Sequence, residues 1–366
     1  MEKEILKEEP RLMKGNEALA EAAIRADIDA YFGYPITPQS EVIEYLTREV
    51  PNRKEKKTVV LQAESEVASI NMVYGAAGAG ARVMTSSSSP GISLMQEGIS
   101  YIASAQLPCL VVNVVRGGPG LGTIQPSQSD YFQATKGGGH GDYHLIVLAP
   151  SSVQEMADFV FDAFELAEKY RNPAMILADG ALGQMMEKVI LPKDGSLSKS
   201  SKPWATTGKT KNRGHNIITS LFIEPEEMEK VNLGLQKKYE AIQSEVRYEE
   251  IQTEDAEVLL VAFGLSARIC QKTVDQAREK GIKAGLLRPI TLYPYPYARL
   301  KELSEHVDFM LTVEMNAGQM VEDVRLAVDG KVPVYFKGRM GGMISTPEDI
   351  LHEIETISEQ LNVLHE

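Results

Sequence analysis

The stretch 82-RVMTSSSSPGISLMQEGISYIASAQLPCLVVNVVR-116 decides the fold, because a strand, a helix and a second strand follow one another in it. We assign strands to residues 82–87 and 109–116, and a helix to residues 93–106, where apolar side chains recur at helical spacing. Strands that are nearly continuous apolar runs are buried on both faces, as in a parallel sheet covered by helices. The stretch therefore predicts an α/β fold.

The same alternation continues on both sides and falls into two groups. In the first group we predict strands at 30–35, 58–63, 144–150 and 174–179, and helices at 16–29, 39–50, 65–80 and 152–171, with Asn16 as an N-cap. In the second group we predict strands at 257–264, 283–289, 308–315 and 332–338, and helices at 266–281, 296–306 and 318–330. The segment between the groups is polar and rich in Gly, Lys and Ser, with a charged helix at 225–246. We expect a first domain over residues 1–190, a connecting segment with an exposed helix over 191–253, and a smaller α/β domain over 254–366.

Composition and charge argue against several classes of protein. The chain has 366 residues, of which 43% are hydrophobic and 24% charged, and this composition is ordinary for a globular protein. The net charge of -13 argues against nucleic acid or an anionic membrane as the main partner. Residues 1–15 lack the apolar core of a signal peptide, and no apolar run approaches the ~20 residues of a membrane span. We therefore expect a cytoplasmic protein.

Ligands of open parallel sheets bind beyond the carboxyl ends of the strands, so the loops there are the places to search. Four of these loops are unusual: 34-YPITPQS-40, 62-QAESE-66, 86-SSSSPGIS-93 and 116-RGGPGLGTIQPSQSD-130. In the first loop, Pro35 and Pro38 stiffen the backbone around Thr37, whose hydroxyl could hold a ligand in register. The alternative is a plain turn in which Thr37 and Ser40 cap the next helix.

Charged side chains in these loops are candidate site residues. Glu64 or Glu66 opens the helix 65–80, either as a simple partner of the helix dipole or as a carboxylate near an interface, since 75-GAAGAGA-81 permits close packing. Arg116 follows a buried strand and precedes glycines, which suits the bidentate capture of a carboxylate. The alternative is a surface arginine.

Several common motifs are absent from the sequence. The string GGPGLG is interrupted by a proline and opens no helix, so it is not a dinucleotide fingerprint, and 137-GGGHGDY-143 lacks the lysine of a P-loop. His140 and His144 lie in a Gly-rich loop that does not align them for a metal. Cys109 and Cys270 stand far apart with no C-x-x-C, which excludes an iron–sulfur cluster held by this chain alone.

Together these loops resemble the α subunit of 2-oxoacid:ferredoxin oxidoreductases, in the pyruvate:ferredoxin oxidoreductase superfamily. The resemblance rests on GYPITPQSEV, on the run from QAESEVASINMVYGAAGAG to SSSSPGISLMQEGISY, on NVVRGGPGLGT with QPSQSDYFQA, and on VEMNAGQM. It is greatest to the subunit of 3-methyl-2-oxobutanoate (2-oxoisovalerate) oxidoreductases. It implies a pyrimidine-type thiamin diphosphate-binding domain on a parallel sheet, followed by an α/β domain similar to the carboxy-terminal domain of transketolases.

The resemblance also implies roles for single residues. Glu66 matches the carboxylate that hydrogen-bonds the aminopyrimidine ring of the cofactor and so helps to make its thiazolium carbon nucleophilic, and Glu64 is left as its neighbour. Thr37 and Arg116 match positions that contact the 2-oxoacid, Arg116 at the carboxylate and Thr37 at the reacting end beside the cofactor. The serines of 86-SSSSPGIS-93 depart from the shorter Ser-Gly-Pro-type loops of relatives, so no single serine receives a role.

The missing parts imply partner subunits. The string nearest to a metal-binding G-D-G, 178-ADGALG-183, has no matching asparagine downstream. The resemblance therefore implies a β subunit that binds the diphosphate, Mg²⁺ and an iron–sulfur cluster. It also implies γ and δ subunits that bring ferredoxin-type clusters or a docking domain, in a dimer of heteromers. Coenzyme A is the implied acyl acceptor, and ferredoxin is the implied electron acceptor.

The predicted reaction is the oxidative decarboxylation of a 2-oxoacid to acyl-CoA and CO₂, with 3-methyl-2-oxobutanoate favoured as substrate. The second choice is 2-oxoglutarate, followed by pyruvate or an aryl-pyruvate. Two other hypotheses stay open at this point: a non-catalytic α/β subunit of such a complex, and a non-oxidative thiamin diphosphate enzyme.

Overall fold

The computed structural model describes residues 10–53, 55–209 and 213–365. No helix within these ranges is long and apolar enough to cross a membrane. The strands are β1 (Arg11–Lys14), β2 (Ala30–Gly33), β3 (Val59–Gln62), β4 (Val83–Ser87), β5 (Cys109–Val115), β6 (Ile146–Leu148), β7 (Pro173–Asp179), β8 (Met186–Val189), β9 (Tyr248–Ile251), β10 (Val258–Val261), β11 (Ala284–Pro289), β12 (Thr291–Tyr293), β13 (Phe309–Glu314) and β14 (Val334–Gly338). The α-helices are α1 (Gly15–Arg25), α2 (Ser40–Glu49), α3 (Glu66–Gly78), α4 (Ser89–Ser104), α5 (Tyr131–Thr135), α6 (Val153–Tyr170), α7 (Gly180–Gln184), α8 (Pro225–Ile242), α9 (Gly264–Glu279), α10 (Tyr297–Leu303), α11 (Met320–Val328) and α12 (Pro347–His365).

The larger sheet has seven strands in the order β12-β6-β7-β5-β4-β2-β3. The pairs from β6 to β3 are parallel, with Val112 of β5 opposite Ile176 of β7, for example. The central strands β4, β5 and β7 are buried along their whole length, as the apolar runs predict. Among the surrounding helices, α1 packs on α6 and α3 packs on α4. The parallel α/β sheet predicted from residues 82–116 is confirmed.

A second sheet has five strands in the order β14-β13-β10-β11-β9. The first four of these strands are parallel neighbours, and β9 joins antiparallel to β11. α9 and α12 pack against each other. We call the chain from Tyr248 onward the second half and the residues before it the first half. The core of the second half contains Leu260, Leu286, Leu311 and Ile350, none of which is exposed. The second alternation in the sequence therefore forms its own sheet.

One strand from the second half of the sequence belongs to the first sheet. β12 pairs antiparallel with β6, so that Thr291 lies opposite Leu148. The sequence analysis did not predict β12, nor the pair β1–β8 with Arg11 opposite Val189, nor the last helix α12. The domain boundaries at 190/191 and 253/254 stay predictions.

The prediction that Asn16 caps the first helix is wrong. The N-cap of α1 is Lys14, which makes no side-chain cap bond in the described part of the chain. Asn16 is buried, and its Nδ2 donates to the carbonyl oxygen of Pro38 at 2.8 Å and to Oε2 of Glu41 at 3.0 Å. Asn16 therefore links α1 to the loop after β2 through hydrogen bonds.

The prediction of a loop over residues 86–93 is also wrong. Ser86 and Ser87 end β4, and Ser89 begins α4, with Pro90 in the first helical turn. Proline is favoured there because its missing N–H has no intrahelical partner in any case. Strand and helix are therefore joined by Ser88 alone.

The start of the connecting segment is held to the first sheet by a buried arginine. The guanidinium of Arg82 donates to both carboxylate oxygens of Glu168, at 2.9 and 3.1 Å. It also donates to the carbonyl oxygens of Leu197 at 3.2 Å and Ser198 at 3.0 Å. A charge that is 2% exposed requires such acceptors.

Candidate active site

The carboxyl ends of β2, β3, β4 and β5 lie side by side, because these strands are parallel neighbours at one end of the sheet. Thr37 follows β2, Glu66 follows β3, Ser88 follows β4 and Arg116 follows β5. The structure thus brings the four predicted loops to one edge. This is where an open parallel sheet binds its ligand.

The loop after β2 is held through its backbone. The carbonyl oxygen of Pro38 accepts hydrogen bonds from Nδ2 of Asn16 at 2.8 Å and from Nε2 of Gln184 at 3.0 Å. The carbonyl oxygen of Thr37 accepts one from Nη1 of Arg116 at 3.0 Å. Two of the predicted site residues, Thr37 and Arg116, are therefore in direct contact.

The hydroxyl of Thr37 is not used by the fold. Its side chain is exposed, and no hydrogen bond joins it to another described residue. α2 begins at Ser40, with Gln39 as an N-cap that makes no side-chain cap bond within the described ranges. The alternative in which Thr37 and Ser40 cap this helix is therefore wrong, and Thr37 presents a free hydroxyl on a fixed backbone.

Arg116 is half-buried and fixed by backbone oxygens, so it is not the surface arginine of the alternative reading. Besides the bond to Thr37, its Nη2 donates to the carbonyl oxygen of Leu121 at 3.0 Å. Its backbone N–H donates to Oγ of Ser89 at 3.1 Å, which links the end of β5 to the start of α4. Its Nε–H is buried without a partner in the described chain. A guanidinium has five N–H groups, so this one keeps donors for a ligand.

Glu66 is the buried carboxylate of this edge. It is the first residue of α3 and is 6% exposed, whereas Glu64 is exposed. No hydrogen bond or ion pair reaches it from another described residue. A Cβ on Gly91 would lie 2.6 Å from Oε1 of Glu66 and 2.0 Å from Oγ of Ser87, so the carboxylate lies against the first turn of α4. A largely buried side chain whose carboxylate has no protein partner is free to bind a ligand.

The serines at the end of β4 differ in their surroundings. Oγ of Ser86 donates to Oε1 of Gln39 at 2.6 Å and is bonded to the hydroxyl of Tyr31 at 2.7 Å. The hydroxyls of Ser87 and Ser88 are buried without partners in the described chain. Ser86 therefore supports the fold, while Ser87 adds an unpaired hydroxyl near Glu66, and Ser88 a second unpaired hydroxyl at the next position.

A cleft of about 610 Å³ opens beside Arg116. One wall is the loop after β5, and the other comes from residues 316–341 of the second half. Asp130 lines it, and its Oδ2 accepts a hydrogen bond from Nδ2 of Asn113 at 2.8 Å. Burial raises the pKa of Asp130. The cleft has the size of a small-molecule site.

Apolar side chains are exposed on β3 and on the first turn of α3, the helix that begins with Glu66. Val59 and Leu61 lie on β3, the edge strand of the sheet, and Val67 lies on the first turn of α3. Val59 is 51% exposed. We name these residues the β3–α3 face. An apolar face on a free sheet edge is typical of a surface that another chain covers.

Asp179 and His144, two of the residues weighed for metal binding, have structural roles. Oδ1 of Asp179 accepts hydrogen bonds from the backbone N–H groups of Ala181 at 2.9 Å and Leu182 at 3.1 Å, and so caps α7. Burial raises the pKa of Asp179 to about 6. The ring of His144 stacks on Tyr293 with 4.3 Å between centroids. Across the described ranges, no group of three or more His, Cys, Asp or Glu residues is placed to hold a metal ion.

The sequence analysis missed Asn113, Asp130 and Gln39. Asn113 carried a signal, since it is a polar residue within the apolar strand CLVVNVV and is fully buried. Asp130 and Gln39 lie in polar loops, where nothing distinguishes a buried side chain from an exposed one.

The fold and this edge define a class: an α/β chain in which a cleft and several polar loops lie at the carboxyl edge of a parallel sheet. Comparison with known proteins specifies the class. The thiamin diphosphate-binding domain of pyruvate flavodoxin/ferredoxin oxidoreductases matches residues 21–257, and core domain II of pyruvate:ferredoxin oxidoreductases matches residues 256–350. The chain belongs to this family of oxidoreductase subunits.

Individual relatives agree with this assignment. The ketoisovalerate oxidoreductase subunit VorB of Methanothermobacter marburgensis is 51% identical over 353 residues, which cover 96% of this chain and 99% of that protein. The structure of 2-oxoglutarate:ferredoxin oxidoreductase from Magnetococcus marinus, with 2-oxoglutarate, coenzyme A and succinyl-CoA bound, is 28% identical with a TM-score of 0.85, covering 95% of this chain and 65% of that chain. A split-gene transketolase, an inactive β4 tetramer, is 13% identical with a TM-score of 0.59, covers 93% of this chain and 95% of that chain, and shows the fold alone. The predicted fold class and family are confirmed.

Proposed function

We propose that this chain is the catalytic α subunit of a 2-oxoacid:ferredoxin oxidoreductase, with 3-methyl-2-oxobutanoate as its substrate. The products are the acyl-CoA and CO₂, and two electrons pass to ferredoxin. The observation that carries the proposal is the carboxylate of Glu66, which is 6% exposed and has no partner among the described residues. A family domain that binds thiamin diphosphate supplies a ligand for this carboxylate.

The residues around Glu66 fit the aminopyrimidine part of that cofactor. Thiamin diphosphate, when bound, supplies the nucleophilic carbon that attacks the keto group of a 2-oxoacid. Glu66 would accept a hydrogen bond from the protonated ring nitrogen of the pyrimidine and so hold the proton there. Such a charge-assisted bond would be strong where the cofactor and a partner chain exclude water. The unpaired hydroxyls of Ser87 and Ser88 lie on the same strand end and offer further polar contacts.

Arg116 and Thr37 would bind the substrate. Arg116 pairs with the carboxylate of the 2-oxoacid until that group leaves as CO₂, and its unpaired Nε–H is one available donor. The bond from Nη1 of Arg116 to the carbonyl oxygen of Thr37 fixes the guanidinium relative to the loop after β2. The free hydroxyl of Thr37 hydrogen-bonds the reacting end of the substrate.

The site needs a partner. The β3–α3 face is apolar and exposed beside Glu66, so a β subunit seated there would close the site and bind the diphosphate, Mg²⁺ and an iron–sulfur cluster. γ and δ subunits would complete a dimer of heteromers and pass electrons to ferredoxin. The relative from Methanothermobacter marburgensis is itself named as a subunit, which supports this arrangement.

The substrate is chosen by similarity. A ketoisovalerate oxidoreductase subunit is 51% identical to this chain, whereas the 2-oxoglutarate synthase subunit KorA of Methanocaldococcus jannaschii is 37% identical. The second candidate is therefore 2-oxoglutarate. A non-catalytic α/β subunit is not favoured, because it would have no use for an unpaired buried carboxylate.

The test is purification of the chain with its partners and measurement of coenzyme A-dependent viologen reduction with a panel of 2-oxoacids. We expect the highest kcat/KM with 3-methyl-2-oxobutanoate; a much higher value with 2-oxoglutarate would contradict the substrate. In the same assay Arg116→Met should raise the KM for the 2-oxoacid about tenfold or more, because a carboxylate contact is lost. Arg299→Met, in a surface ion pair with Glu250, is the matched control and should leave KM unchanged.

A further inference from the structure

The loop that follows Arg116 is closed at its base. Arg116 forms an antiparallel bridge with Pro126, and the backbone N–H of Gly117 donates to the carbonyl oxygen of Gln125 at 2.9 Å. We name residues 116–126 the Arg116 loop. The position of Gln125 and Pro126, at the end of this loop, therefore sets the position of the backbone at Arg116, at its start.

Gln128 lies two residues after this base and is hydrogen-bonded, through both its side chain and its backbone, to the second half of the chain. It is 3% exposed. Its Nε2 donates to the carbonyl oxygen of Phe263 at 2.8 Å, and its Oε1 accepts from Oγ of Ser266 at 2.9 Å and from the backbone N–H of Met315 at 3.0 Å. Its own backbone N–H donates to the carbonyl oxygen of Met315 at 3.0 Å. Gln128 thus joins the segments that follow β10 and β13.

Neighbouring residues strengthen this attachment. Nδ2 of Asn316 donates to the carbonyl oxygen of Gln128 at 2.9 Å, and Oγ of Ser127 donates to the carbonyl oxygen of Met315 at 3.1 Å. Gly264 has φ +55, and a Cβ there would lie 3.1 Å from Nε2 of Gln128. The second half therefore makes room for the amide of Gln128 as well as binding it.

We propose that Gln128 is a positioning residue for the 2-oxoacid carboxylate: it fixes the Arg116 loop on the second half of the chain, and so fixes Arg116. The inference rests on the proposed role of Arg116 in substrate binding. According to this inference, the second half of the chain influences substrate affinity indirectly, because it holds the loop of the first half that carries Arg116. Gln128 acts only through Arg116, so its loss should matter little once Arg116 has been replaced.

The test uses the purified complex and measures separate KM values for the 2-oxoacid and for coenzyme A. Gln128→Met keeps the length of the side chain and removes its hydrogen bonds. We expect it to raise the KM for the 2-oxoacid about tenfold while the KM for coenzyme A changes less than about twofold. In an Arg116→Met background the same change should add less than about twofold.

Two controls separate positioning from loss of stability. Gln276→Met makes the same chemical change at a half-buried glutamine bonded to Glu348 and should leave both KM values unchanged. Val274→Ala removes buried volume from α9 and should lower the melting temperature without changing the KM for the 2-oxoacid. If Gln128→Met does not assemble, Ser266→Ala, which removes one bond to Gln128, takes its place and should raise that KM about threefold.

The outcomes distinguish the inference from the function on which it rests. If Arg116→Met raises the KM for the 2-oxoacid and the Gln128 or Ser266 variant does not, the inference is overturned and the proposed function stands. Full additivity of Gln128→Met in the Arg116→Met background also overturns it, because Gln128 would then act elsewhere. If Arg116→Met itself leaves the KM unchanged, the proposed role of Arg116 fails first.

Discussion

The edge of the first sheet and the contact between the two halves of the chain both bury a glutamate, and they treat it in opposite ways. Glu66, at the edge, has no partner among the described residues. Glu314 is the last residue of β13, in the second sheet. It accepts hydrogen bonds from Nδ2 of Asn316 at 2.8 Å and from the backbone N–H groups of Gln319, Met320 and Val321 at 3.2, 2.9 and 3.0 Å.

The difference separates structural from ligand-binding groups. Burial raises the pKa of Glu314. Four donors of the fold satisfy the carboxylate of Glu314. No described residue donates to Glu66, which is expected when a cofactor supplies the missing partner.

The largest expected effect tests this contrast directly. Glu314→Leu leaves several buried donors unpaired and should lower the free energy of unfolding by about 3 kcal/mol or more. Glu66→Leu removes an unpaired carboxylate and should change that free energy by less than about 1 kcal/mol, in either direction. Urea unfolding of the purified chain measures both variants. Equal losses of stability would show that Glu66 has a structural partner after all.

A second prediction concerns pH and Asp179. Burial raises its pKa to about 6 from 3.8, so the folded chain binds this proton more tightly than the unfolded chain does. The contribution is favourable at pH values below 3.8 and is lost as the pH rises through 6. Asp179→Asn does not titrate. The stability of the wild type minus that of the variant should therefore fall by ~2 kcal/mol between pH 4 and 7.

Unfolding curves of both proteins across this pH range measure the difference. A difference that stays constant with pH, or that grows as the pH rises, would show that Asp179 is not a buried acid with a raised pKa.

The smallest effect is expected at Thr37. Its hydroxyl is exposed and caps no helix, so Thr37→Ala should leave the melting temperature unchanged, whereas loss of a cap would cost ~1 kcal/mol. Turnover in the assembled complex should fall roughly tenfold because a contact at the reacting end is lost. Ser40→Ala, at the first position of α2, is the control and should change neither quantity. A lower melting temperature with normal turnover would assign Thr37 to the fold.

Much of the fold followed from patterns within single segments. The strands at 82–87 and 109–116 were predictable because their own apolar residues indicate that they are buried. β12 was not, since Thr291–Tyr293 is short, is preceded by a proline at 289 and followed by one at 294, and pairs with a strand far away in the sequence. Asn16 was misassigned for the same reason: its partners lie 22 and 25 residues away.

The sequence predicted which loops form the site, but not which side chains are buried there or which residues they bond to. The rule that loops meet at the carboxyl edge placed Thr37, Glu66 and Arg116 together. The sequence alone left Glu64 and Glu66 as alternatives, because exposure depends on how α3 packs on α4. Gln128 gave no local signal, since a glutamine in a polar loop looks solvated until the second half of the chain is placed on it.

The central claim is that the unpaired carboxylate of Glu66 works on a bound cofactor, and turnover of the Glu66→Gln complex tests it most directly. Glu64→Gln, at the exposed neighbour, is the matched control. We predict that Glu66→Gln lowers kcat by about 100-fold or more while the complex assembles normally, and that Glu64→Gln keeps full activity. Full activity of Glu66→Gln in the reconstituted complex would contradict the account.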